Sequence, residues 1–192
     1  MLQAMQIEFI AVADYLAGEP YSDIRHEYIN GVVYAMAGES KAHNTVALNI
    51  ATLLRNHLRG SPCRAYMENV KVQVQRAQSE AYYYPDIQVV CGESAANPYY
   101  ETAPVLIIEV LSPSTERYDR ADKFYAYRQL DSLQEYVLIA QDTQRVEIYR
   151  RPKQWEWELY TGTEAACYLA SVGLNLSLAA IYEEVSFVAS AV

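Results

Sequence analysis

Apolar and polar positions in this chain follow two alternating periods, and the changes between them mark out the elements. Residues 6–17 (Gln-Ile-Glu-Phe-Ile-Ala-Val-Ala-Asp-Tyr-Leu-Ala) are spaced as a short helix, which Gly18 and Pro20 end. The pattern then turns to strand chemistry. His26-Glu27-Tyr28-Ile29 and Val32-Val33-Tyr34-Ala35-Met36 flank Asn30-Gly31, a pair that tolerates the positive φ angles of a two-residue hairpin turn. Over 41–59 the period returns to helical, with Val46, Ala47, Ile50, Leu53 and Leu54 on one side. Ser40 is placed to cap this helix and Gly60 to close it.

Strands are expected near 64–75 and 81–91, followed by an almost wholly apolar one at 104–111, as for a strand covered on both faces. Ser112-Pro113-Ser114-Thr115 leads into a helix over about 115–130. Strands near 134–140, 144–150 and 154–160 precede an irregular end with a short helix at 178–184. This order predicts an α/β (α+β) fold, a mixed β-sheet core flanked by helices. No repeat, low-complexity tract or linker divides the chain, so 1–192 reads as one domain.

Composition narrows the class. Among 192 residues, 52% are hydrophobic and 20% charged, which argues against disorder, and seven Gly with seven Pro exclude a collagen-like chain. No apolar run approaches the ~18 residues of a membrane span. The first basic residue is Arg25, so the N-terminus lacks the charged start of a secretory signal. Cys63, Cys91 and Cys167 are odd in number and form no Cys-x-x-Cys. Three reduced thiols in a cytoplasmic protein are the expectation.

The net charge of −9 weighs against tight non-specific binding to nucleic acid. Residues 154–192 hold no Lys or Arg but five acids, leaving 15 basic against 24 − 5 = 19 acidic groups in 1–153. There Arg145, Arg150, Arg151 and Lys153 cluster, as do Arg117, Arg120, Lys123 and Arg128. Each cluster alone reads as ordinary solvated surface; together they leave a weakly basic face open.

Glu109 is the most informative position. It interrupts Val105-Leu106-Ile107-Ile108-Glu109-Val110-Leu111 on the side of Ile107 and Leu111. A carboxylate there needs a partner cation, an outlet to solvent or a metal. Asp86 sits in Tyr84-Pro85-Asp86-Ile87, where the proline marks a bulge, edge or strand start. If the two strands pair, both acids meet, and a divalent cation would offset their repulsion; oxygen-only ligands suit Mg2+ or Mn2+. Asp119, Lys123 and Tyr127 share one helical stripe that can look back at the strand end, although an ordinary i,i+4 ion pair explains the first two equally well. The helix start after Ser112-Pro113 would also suit a phosphate.

The histidines carry less signal. His43 and His57 lie ~21 Å apart on one helix and cannot share a metal; for each, and for His26, a surface or satisfied role is expected. The 18 tyrosines suit strand packing and interfaces, with base stacking as the sharper alternative.

Tyr84-Pro85-Asp86, Ile108-Glu109-Val110-Leu111-Ser112-Pro113-Ser114-Thr115, Asp119-x-x-x-Lys123-x-x-x-Tyr127 and Glu135-Tyr136 together resemble a restriction-endonuclease family of the PD-(D/E)xK nuclease superfamily, long catalogued as a domain of unknown function. The resemblance covers about Arg25 to Arg150. It implies a restriction-endonuclease-like core over 25–150, an N-terminal helical segment over 1–24 and a C-terminal extension over 151–192. It also implies Asp86 and Glu109 as metal ligands, the Val110 carbonyl as a third, and a contact from Glu27, direct or through water. The superfamily motif has Lys two residues after the Glu, where this chain has Leu111; Lys123 would be the migrated lysine, held by Asp119 and Tyr127. The activity implied is Mg2+- (or Mn2+-) dependent hydrolysis of phosphodiester bonds in nucleic acid, DNA foremost, by a homodimer. The competing reading is a non-catalytic oligomeric binding protein on a nuclease-derived fold.

Overall fold

The computed structural model describes residues 9–187. A first helix, α1 (Val12–Gly18), covers the later part of the expected 6–17 segment, whose residues 6–8 lie outside the described residues. It leads into the hairpin β1 (His26–Ile29) and β2 (Val32–Ala35), whose turn has Asn30 at φ 48° and Gly31 at φ 92°. Helix α2 (Lys41–His57) starts as expected, with Ser40 Oγ accepting from the His43 amide at 3.0 Å. Gly60 follows it at φ 78°, the left-handed conformation that closes helices.

Two expected strands are each divided. The 64–75 segment is β3 (Cys63–Met67) and β4 (Lys71–Arg76); the 81–91 segment is β5 (Ser79–Tyr83) and β6 (Ile87–Cys91). In both cases the chain crosses from one sheet to another, at 68–70 and at 84–86. Pro85 explains the second crossing, since it has no amide to give a ladder. One sheet is ordered β2-β1-β5-β4-β7, with β7 (Tyr100–Glu101) parallel to β4. The other contains β8 (Pro104–Leu111), β9 (Glu135–Ala140), β10 (Arg145–Arg150) and β11 (Trp157–Thr161) in the order β11-β10-β9-β8-β6-β3. Only β8 and β9 run parallel in it. A small hairpin of β12 (Ala166–Leu169) and β13 (Leu174–Ser177) precedes α5 (Leu178–Ile181).

β8 organises the core because both its faces are covered. Leu106, Ile108 and Val110 pack with Val46, Ile50 and Leu54 of α2, while Ile107 and Leu111 pack with Tyr127, Tyr136 and Leu138 on the other side. Truncating one such buried aliphatic, as in Ile50→Ala, costs about 2–5 kcal/mol.

The expected 115–130 helix is three pieces: α3 (Glu116–Tyr118), a π-helical turn (Asp119–Lys123) and α4 (Phe124–Tyr127). The amides of Thr115 and Glu116 both turn back to the Ser112 carbonyl, so the expected phosphate seat is internally bonded there. The cysteines need correction as well. Cys63 and Cys91 form a disulfide, because β3 and β6 pair antiparallel with these two residues opposite, a juxtaposition their separation in sequence conceals. Cys167 is a buried free thiol, which burial pushes up to about 11.

Several members of both basic clusters are neutralised. Arg120 lies between Glu116 and Glu147, Arg145 reaches the same two acids, and Arg150 and Lys153 bind Glu158. Arg151 donates to the carbonyls of Leu133 and Arg128, and Lys123 is buried.

Candidate functional site

Asp86 stands where the chain leaves the first sheet and enters β6 in the second. β6 pairs antiparallel with β8, Ile87 opposite Ile108, and this register brings the two acids together. The bonding is reciprocal: the Asp86 amide donates to Glu109 Oε2 at 3.1 Å, and the Val110 amide donates to Asp86 Oδ2 at 2.6 Å. Glu109 is 2% exposed, whereas Asp86 opens onto solvent.

Lys123 approaches from the π-helical turn. Its Nζ lies 3.1 Å from Glu27 Oε1, 3.3 Å from Glu109 Oε1 and 3.4 Å from Asp119 Oδ1. The wider π turn keeps both Asp119 and Lys123 buried while Ala121 and Asp122 between them stay exposed, and such turns recur at functional sites. The Tyr127 hydroxyl donates to Glu109 Oε1 at 3.3 Å, the Tyr84 amide to Glu27 Oε1 at 3.1 Å, and the Tyr136 hydroxyl to the Asp119 carbonyl at 2.9 Å. All six side chains singled out in the sequence thus meet, with the Val110 backbone beside them.

Two further groups were missed. His43, expected to be satisfied or at the surface, is buried on the first turn of α2 with Nε2 3.2 Å from Asp86 Oδ2. Glu39, on the loop before α2, is close enough for its charge to act on Asp86, Asp119 and Lys123. Only the packing of α2 against β8 and β6 brings these groups to Asp86; one local hint existed, since His43 lies three and four residues before Val46 and Ala47, on the apolar face of the helix.

The cluster is short of positive charge. Glu27, Asp86, Glu109 and Asp119 are four carboxylates around one ammonium, an excess of 4 − 1 = 3 negative charges before His43 is counted. Burial, reinforced by Asp119 and Asp86, pushes the Glu109 carboxyl well above the usual range despite Lys123. Burial likewise raises Asp119, whose Oδ1 is enclosed without a hydrogen bond. Burial opposes the charge on Lys123, but Glu109, Glu27, Asp119 and Asp86 outweigh it and keep the group an ammonium. Burial opposes the charge on His43 too, and the hydrogen bond to Asp86 raises its pKa on balance.

Two hollows flank this cluster, sharing the loop that contains Met36, Ala37 and Glu39. One, of about 460 Å3, is bordered by Asp86, His43, Arg25 and Tyr84; the other, of about 770 Å3, reaches Lys123, Glu27 and Tyr118. Among the described residues no three His, Cys, Asp or Glu side chains converge as a metal cage. Mg2+ does not ask for one: it keeps several waters and takes one or two protein carboxylates plus substrate phosphate oxygens. The donor set here, Asp86 at the solvent edge with Glu109 behind it in a site short of cations, fits such an ion.

Carboxylates from two paired strands and a lysine from the next helix are thus gathered at one place on a mixed sheet. A putative nuclease belonging to DUF820 from Anabaena variabilis has the same fold, with a TM-score of 0.72 at 21% identity over 90% of this chain and 97% of that one. Residues 12–179 match the Uma2 family model, described as a putative restriction endonuclease, and the chain belongs to that family. Two uncharacterized Synechocystis proteins are similar throughout: one is 34% identical, covering 91% of this chain and 92% of its own length, the other 32%, covering 83% and 90%. No helix among the described residues is long and apolar enough to cross a membrane.

Proposed function

We propose that this protein is a Mg2+-dependent endonuclease that hydrolyses phosphodiester bonds in DNA, working as a homodimer of single-domain chains. The observation that carries the reading is the uncompensated carboxylate cluster around Lys123, opening through Asp86 onto a cleft at the surface. Asp86, Glu109 and the Val110 carbonyl would hold Mg2+ or Mn2+. Such an ion, when bound, polarises a phosphate oxygen and lowers the pKa of an attacking water.

The remaining work falls to the chain's own groups. Lys123 Nζ keeps its proton because carboxylates surround it, so it offers a fixed positive donor to charge that develops on the phosphate. Glu27 and Asp119 hold that ammonium in place, and Tyr127 fixes the Glu109 carboxylate beside it. The His43 ring and the Val110 amide orient the Asp86 carboxylate from two directions.

Nicking of supercoiled plasmid with Mg2+ or Mn2+ tests the reading, with chelator controls and circular dichroism to confirm folding. Glu109→Ala and Lys123→Ala should each lose metal-dependent cleavage; removing several kcal/mol of transition-state stabilisation slows the reaction about 1,000-fold. Equal rates in wild type and Glu109→Ala would overturn the assignment and leave a binding protein on a nuclease-type fold.

A further inference from the structure

Helix α2 carries one exposed stripe away from the candidate site. Asn44 and Thr45 border the cleft at Asp86; further along, Thr52, Arg55 and Arg59 line a groove of about 500 Å3 between α2 and the edge strand β3. Past it lies a hollow of about 250 Å3 bordered by Arg55, Arg59 and Arg64. The second wall converges on the same place, because β3 runs toward Glu68, whose amide donates to the Asp86 carbonyl at 3.1 Å. The cleft at Asp86 and the groove with the arginines thus follow one another along α2, with Glu68 of the cleft next in sequence to Met67 of the groove.

The groove's charge is the reverse of the protein's. Arg55, Arg59 and Arg64 are exposed, no acid borders either of the two hollows, and none of the three forms an ion pair among the described residues. The arginines that cluster in sequence, such as Arg120, Arg145 and Arg150, are by contrast bound to carboxylates. On a chain of net charge −9, three free guanidinium groups along one groove form a local anion-seeking strip. Guanidinium forks match phosphate oxygens in geometry as well as charge.

We infer that the α2–β3 groove is the track for the phosphodiester backbone of a nucleic acid, with Arg55, Arg59 and Arg64 neutralising phosphates remote from the bond that reacts. This rests on the proposed nuclease reading for the direction of the track, from the arginines to Asp86. Twelve residues of helix separate His43 from Arg55, about 18 Å at 1.5 Å per residue. For a duplex whose axis follows α2, with 3.4 Å of axis per phosphate of one strand, that places the arginines about five nucleotide steps from the Asp86 cleft.

The test compares wild type with an Arg55→Glu, Arg59→Glu, Arg64→Glu triple variant and with Arg117→Glu, an exposed change on α3, as control. Anisotropy of a fluorescein-labelled DNA duplex longer than the groove is titrated in Ca2+ at several KCl concentrations, and cleavage in Mg2+ is followed separately. The triple variant should bind on the order of 100-fold more weakly at low salt, and the slope of log K against log salt should shrink by about 3, one unit per lost phosphate contact. Arg117→Glu should match wild type. Unchanged affinity and slope in the triple variant would overturn the groove, and continued cleavage would show that the nuclease reading survives it. Loss of binding in a protein that never cleaves would keep the groove and remove the nuclease. No salt-dependent binding by wild type would overturn the groove outright.

Discussion

Two ion clusters in this protein, each built on a buried glutamate, balance their charge in opposite ways. In the first, Glu135 is 2% exposed and all its needs are met: it accepts from Arg150, from the amides of Ala170 and Ser171 and from the Ser171 hydroxyl, while Glu158 binds both Arg150 and Lys153. Two carboxylates meet two cations, and the C-terminal hairpin is tied to β9 as a result. In the second, four carboxylates crowd one lysine, Asp119 Oδ1 has no hydrogen bond, and Glu109 is pushed toward its protonated form. A neutral, saturated cluster stabilises and has nothing left to bind with. An unbalanced one costs stability and keeps an affinity for a cation that the chain does not itself supply.

Removing an acid should therefore have opposite consequences in the two places. Glu135→Ala removes the shared acceptor of Arg150, of the Ala170 and Ser171 amides and of the Ser171 hydroxyl, leaving Arg150 to Glu158 and the Tyr168 carbonyl, and should cost about 3 kcal/mol, read as a lowered denaturant midpoint; a loss below 1 kcal/mol would mean the saturated cluster is not structural.

The next largest effect belongs to the unbalanced cluster. Mg2+ at 100 times its Kd should stabilise wild type by about 2.7 kcal/mol, seen as a rise in Tm. Glu109→Gln, which lacks one of the proposed ligands, should be nearly unmoved by the ion yet about 1 kcal/mol more stable than metal-free wild type, because it relieves an excess buried charge. A Glu109→Gln variant that is markedly less stable than wild type would show that the cluster is closed by other means.

The smallest effect is a pH dependence at the edge of the saturated cluster. Lys153 first, then Tyr160 and Arg150, lower the Glu158 carboxyl from 4.5 to about 2. A depressed carboxylate contributes stability that is present above its unfolded pKa and lost as pH falls through its folded one, here between about 4.5 and 2. Glu158 is partly exposed, so the contribution is screened and should fade with added salt. Replacing Glu158 with Gln should flatten the acid limb of a Tm–pH curve at low ionic strength; an identical limb would assign that dependence to other acids.

How much of this could be read from the chain depends on how local each signal is. The hairpin at Asn30-Gly31, the capped helix after Ser40 and the buried strand around Glu109 are set by neighbouring residues, and all three stand where the pattern puts them. Both divisions of the expected strands have a local mark, Glu68-Asn69 at the first and Pro85 at the second; what was not legible is the change of sheet at each, because that depends on pairing partners distant in sequence. The π turn was hidden for another reason: Asp119 and Lys123 can share a stripe in either helix type. Asp86, Glu109 and Lys123 announce themselves as charges in apolar or motif-bearing surroundings, whereas His43 sits in an unremarkable polar stretch and becomes a site residue only through its 3.2 Å approach to Asp86.

The sequence by itself determined the elements, the apolar strand that carries Glu109 and the residue types from which a cation site can be made, since these follow from side-chain chemistry and short-range periodicity. Tertiary structure alone decided which charges cancel. In the basic runs at 117–128 and 145–153, Arg120, Lys123 and Arg150 meet acids distant in sequence, Glu147, Glu27 and Glu135; Arg55, Arg59 and Arg64, never conspicuous in the sequence, form no ion pair among the described residues and lie along one groove. Charge balance is a sum over neighbours in space at a few ångströms, and the fold chooses those neighbours.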